Sequence, residues 1–69
     1  MSMTFYVRSE MADGTRLPNG RHHEEEDWPM VPRVGDCIEF FSGSAWVSEV
    51  VFAVQDRTIV TVYLKRTRE

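Results

Sequence analysis

Sixty-nine residues suffice for one domain with a single modest core. With 42% hydrophobic and 28% charged residues, the composition is that of a folded globular chain and not of a disordered one. Eight Lys and Arg against eleven Asp and Glu leave a formal charge of −3, which counts against a surface built to neutralise phosphates, and the single cysteine, Cys37, excludes an intrachain disulfide scaffold.

A lone thiol fits a reducing compartment. The opening MSMTFYVRSE has no apolar segment of signal-peptide length, and no apolar run approaches a membrane span. The expectation is a cytoplasmic protein with no membrane partner. The start Met1-Ser2-Met3 leaves Met1 and Met3 as alternative native first residues.

The first strand is expected over about 4–9, where Phe5 and Val7 alternate with Thr4, Tyr6 and Arg8. Asp13-Gly14 then signals a turn, and Pro18-Asn19-Gly20 a second. Only Leu17 is apolar in the window 12–21, which therefore reads as a mobile loop, the alternative being the irregular tip of a long hairpin. Residues 22–27, HHEEED, have no apolar period; they read as a poorly buried edge strand whose four carboxylates discourage pairing with other chains. Trp28-Pro29-Met30-Val31-Pro32 is a stiff connector, with Trp28 expected to fold back and seal one end of the core.

Val31 to Leu64 organises the chain as a C-terminal three-stranded meander. Gly35-Asp36 launches a strand over 37–41, Ser42-Gly43-Ser44 turns it into a strand over 45–54, and Gln55-Asp56-Arg57 leads to a last strand over 58–65. Val47 and Val50 both read as core residues, yet their spacing puts them on opposite faces of a regular strand. A β-bulge near Ser48-Glu49 reconciles them and bends the sheet. The expected core is Phe5, Val7, Trp28, Ile38, Phe40, Val47, Val50, Val60, Val62 and Leu64. The fold class is all-β: a small five-stranded antiparallel sheet curled into an SH3-like or partly open barrel.

Three groups of residues stand out as candidate binding elements. Phe41, Trp46 and Tyr63 exceed what the core can hold; Phe41 and Trp46 flank the Ser-Gly-Ser loop and could pair across it, and exposed aromatic groups on a small domain mark interaction surfaces. Glu24, Glu25, Glu26 and Asp27 form a local negative field that would attract a cationic partner, against the simpler role of solubilising an edge. Tyr63, Lys65, Arg66 and Arg68 could hold a single nucleic-acid strand by stacking and phosphate contact, an alternative disfavoured by the net charge.

Catalysis finds no nucleophile elbow, phosphate loop or paired carboxylates, so no enzyme and no cofactor is expected. His22, His23 and Cys37 lack the spacing of a metal site.

The pattern Pro32-x-Val34-Gly35-Asp36-x-Ile38, followed by Val47-x-x-Val50 and Val60-x-Val62-x-Leu64, resembles small uncharacterised β domains of bacterial and phage genomes over about half the chain. The resemblance implies the β fold and no activity. By analogy with small phage and mobile-element proteins, which often block or redirect a host protein, the expected function is a protein-binding module of regulatory or inhibitory type. Its partner would be another protein or a second copy of itself.

Overall fold

The computed structural model describes residues 3–68, so Met1 and Ser2, and with them the question of the native start, lie outside the described residues. The chain forms five strands and no helix among those residues: β1 (Phe5–Met11), β2 (His23–Trp28), β3 (Cys37–Phe40), β4 (Gly43–Val54) and β5 (Thr58–Lys65). They make one curled sheet, a half-barrel, in the order β2-β1-β5-β4-β3.

Most neighbours are antiparallel, but the central pair is not. β1 lies parallel to β5, with Val7 beside Val60 and Met11 beside Leu64. The sheet is therefore mixed, which corrects the expectation of a purely antiparallel one. The cause is long-range. The meander β3–β4–β5 and the hairpin β1–β2 each form from local pairings, and they join through β1 and β5, whose inner faces carry Val7, Ser9 and Met11 on one side and Val60, Val62 and Leu64 on the other.

That inner face is the core. Alternation places Val7, Ser9 and Met11 of β1 and Val60, Val62 and Leu64 of β5 inward, and all six are buried. Ala45 and Val47 of β4 complete the buried strand residues, and Phe5, Trp28, Ile38, Phe40 and Val50 pack around them half-buried. Two connections close the open ends of the half-barrel. Trp28, the last residue of β2, and Val31 in the connector that follows pack at one end. At the other, the 12–22 connection inserts Leu17, which is only 2% exposed.

The 12–21 segment is a loop, as expected, but Leu17 and its hydrogen bonds anchor it to the core. The Leu17 amide donates to the Arg21 carbonyl at 2.8 Å, and the Gly20 amide donates to the Leu17 carbonyl at 2.8 Å. One guanidinium nitrogen of Arg66 donates to the Arg16 carbonyl at 3.0 Å, tying the segment to the end of β5. The β3–β4 hairpin also differs from the expectation. Phe40 pairs with Gly43, so the loop is Phe41-Ser42, and Gly43 and Ser44 belong to β4.

The bulge is where the Val47–Val50 spacing requires it. Val47 pairs with Leu64 and Glu49 with Tyr63, which leaves Ser48 as the extra residue. The Ser48 hydroxyl donates to the Tyr63 carbonyl at 3.1 Å, anchoring the irregularity. Deleting Ser48 should keep Val47, Val50 and Phe52 on one face. The expected cost is therefore the Ser48 hydrogen bond, roughly 1 kcal/mol, seen as a small drop in urea midpoint with β-sheet circular dichroism retained. A fully unfolded deletion variant would show that the bend, and not the register, is what Ser48 supplies.

Candidate functional site: the free edge of β4

β4 is 12 residues long and β3 only 4. Their pairing covers Gly43 to Trp46. The turn before β3 adds one more exchange: the Gly35 amide donates to the Val47 carbonyl at 2.9 Å, and the Val47 amide to the Asp36 carbonyl at 2.8 Å. Gly35 adopts φ 96°, a conformation open to glycine, which lets the chain turn sharply enough to do this. Beyond Val47, β4 has β5 on one side and, among the described residues, no strand on the other.

Past Ser48 and the exposed Glu49, the free stretch carries Val50-Val51-Phe52-Ala53-Val54, with no charge, proline or glycine. Its side chains are exposed on both faces: Val51 is 38% exposed on the outer face, Phe52 56% and Val54 72% on the inner. The opposite edge of the sheet is β2, and it is blunted by charge. Proteins ordinarily protect exposed edges with charge, proline or bulges, because an open row of N–H and C=O groups invites another strand. This sheet protects one edge and leaves the other apolar.

The acidic run is largely occupied within the chain. Pairing sets Glu24 opposite Ser9 and Glu26 opposite Val7 on the inner side, with Glu25 and Asp27 outward beside Arg8 and Tyr6. Asn19 donates to Glu24, the Trp28 indole donates to Glu26 at 2.7 Å, and Tyr6 donates its hydroxyl to Glu25. His23 Nε2 lies 3.3 Å from Glu25 as well, and the Arg57 guanidinium sits 4.6 Å above the Tyr6 ring. The run thus serves β2 itself more than it offers a free field.

The Tyr6–Glu25 contact sets both titrations. Accepting the Tyr6 hydroxyl holds the Glu25 carboxyl below the usual glutamate range, and the same bond raises the Tyr6 phenol. The stabilisation from Glu25 is present above the ordinary glutamate pKa and is lost as pH falls through its depressed value. That from Tyr6 is present below the ordinary tyrosine pKa and is lost as pH rises through its elevated one. Tyr6→Phe should return the Glu25 midpoint upward to the ordinary range, as followed by the NMR shift of its carboxyl carbon; an unmoved midpoint would assign the depression to other groups.

The surplus aromatic residues do not form one surface. Phe41 is fully exposed at the tip of the β3–β4 hairpin. Trp46 pairs with Cys37, so it does not meet Phe41 across the loop, contrary to the expectation. Trp46 and Tyr63 are half-buried on the outer face, Trp46 beside Lys65 and Tyr63 between Glu10 and Glu49. Carboxylates on both sides of Tyr63 oppose a phosphate there, and Arg66 is engaged by the 12–22 connection. Lys65 is half-buried and Arg68 exposed. Tyr63 and Lys65 thus share the outer face with Trp46, while Arg66 turns to the 12–22 connection.

Elsewhere a shallow depression of about 340 Å³ lies between Trp28 and Ile38, floored by Val31 and Pro32. The Arg33 amide there donates to the Asp36 carboxylate at 2.8 Å. His23 and Cys37 stand on opposite edge strands. Among the described residues, no three His, Cys, Asp or Glu side chains gather as a metal-binding group.

Sequence reading passed over Val50–Val54 as a binding element. The signal was in the strand lengths: a strand over 37–41 cannot cover one over 45–54, and the uncovered half is the uncharged half. Comparison with family models, with curated proteins and with solved structures gave no match.

Proposed function

We propose that the protein is a small protein-binding module of regulatory or inhibitory type that takes an extended strand of its partner onto the free edge of β4. One observation carries this reading: the sheet closes its β2 edge with Glu24–Asp27 and, among the described residues, leaves Val50–Val54 uncharged and without a strand on the side away from β5. Strand addition supplies main-chain hydrogen bonds for affinity, while alternate side chains such as Phe52 and Val54 supply selectivity.

The acidic run and Phe41 are secondary as binding elements, since the first is partnered within the chain and the second stands apart from other exposed aromatic groups. The nucleic-acid alternative draws less support, because carboxylates flank Tyr63 on both sides and Arg66 is engaged by the 12–22 connection.

The test compares immobilised wild type with Val54→Lys for the proteins each retains, an untagged copy of the chain included among them. Val54 is 72% exposed, so the substitution leaves the fold intact. A lysine on an edge opposes strand pairing, and retention should fall at least about tenfold. Equal retention by the two proteins would overturn the proposal.

A further inference from the structure

We infer that the strand received by β4 is β4 of a second copy, running antiparallel about a two-fold axis at Phe52. This rests on the strand-addition reading above and names its occupant. An uncharged edge without proline or glycine fits a partner strand of the same kind, and β4 is itself such a strand. A basic or acidic peptide would find no countercharge among Val50 to Val54.

The register follows from the bulge and the charge beside it. The shift in pairing lies between Val47 and Glu49, and Glu49 carries a charge, so the regular uncharged run is Val50–Val54, whose midpoint is Phe52. Antiparallel self-pairing about that midpoint sets Val50 against Val54, Val51 against Ala53, and Phe52 against Phe52 of the other copy. The flanking positions set Glu49 against Gln55 and Ser48 against Asp56, so no two like charges oppose. On the inner face the exposed Phe52 and Val54 gain apolar neighbours, and on the outer face Val51 does. The two half-barrel sheets then continue into one.

The purified full chain tests this directly. At about 100 μM, where weak interfaces are populated, light scattering should report twice the 8.1 kDa of one chain. Val54→Lys should return it to one chain with unchanged circular dichroism. The register is read by disulfide trapping in a Cys37→Ser background, which removes the exposed native thiol. Val51→Cys and Ala53→Cys should cross-link more when mixed than when either is oxidised alone. A monomer at that concentration, or a dimer indifferent to Val54→Lys, would overturn the inference. Equal cross-linking in all three samples would overturn the Phe52 axis. A monomer whose Val54-dependent retention of a different protein persists would refute the second copy as occupant and leave the strand-addition reading standing; loss of both would remove both.

Discussion

Leu64→Ala should remove much of the protein's stability, lowering the unfolding free energy by about 3 kcal/mol. Leu64 is the largest fully buried side chain. It stands on the central strand, flanked by Met11 of β1 and Val47 of β4. A cavity there touches both halves of the sheet, and rigid ladders on either side limit how far it can collapse. A chain of 69 residues has on the order of 3–10 kcal/mol in total, so a loss of this size unfolds a large fraction of the molecules. The measurement is urea unfolding: the midpoint should drop sharply while the slope stays that of the wild type. A midpoint moved by less than about 1 kcal/mol would mean that the 12–22 connection or the connector after β2 refills the space.

Leu17→Ala should cost about 2 kcal/mol, with a different signature. Leu17 is as buried as Met11, yet it belongs to no ladder. Its isobutyl group is the fully buried apolar anchor of the 12–22 connection, which also holds through hydrogen bonds that include Ala12 to Leu64, Leu17 to Arg21, Gly20 to Leu17, Asn19 to Glu24 and Arg66 to Arg16. Cutting the side chain to a methyl frees the segment while the strands keep their pairings. Hydrogen exchange separates the two events: the Leu17 and Gly20 amides should lose protection, and the β5 ladder should keep most of its own. Equal loss in both places would show that the connection and the sheet unfold as one unit.

How much of this was legible depends on the range over which each feature is decided. Alternation at Val60, Val62 and Leu64 names an inner face, because that pattern is local. The Val47–Val50 spacing demands a bulge for the same reason, and Ser48 supplies it. The parallel junction of β1 with β5 is not local. Val7 and Val60 carry no signal that distinguishes a parallel neighbour from an antiparallel one, and the choice follows from how two finished pieces dock. Leu17 was hidden by its company: polar neighbours mark a loop, and a loop can still donate one side chain to the core.

The candidate site shows the same division. Glu24–Asp27 drew attention as a cluster of charge, but strand pairing divides it between two faces and gives three of its carboxylates partners within the chain. Trp46 and Tyr63 looked surplus and are half-covered, because each has a strand on both sides at its own position: Cys37 and Lys65 flank Trp46, Glu10 and Glu49 flank Tyr63. The run at Val50–Val54 has ordinary strand composition. Its exposure is a property of what fails to lie next to it, which no residue of the run can announce.

The parallel pair also sets the order in which the chain can fold. β1 is made first and cannot take its place in the sheet until β5 exists, since β5 is its parallel neighbour and the holder of Val60, Val62 and Leu64. The meander β3–β4–β5 needs only short closures and should assemble early, with the β1–β2 hairpin docking onto it in a later, slower step. During that interval β5 exposes a second open edge beside the one β4 keeps. A folding chain would then be most prone to pair wrongly with another copy between assembly of the meander and docking of the β1–β2 hairpin.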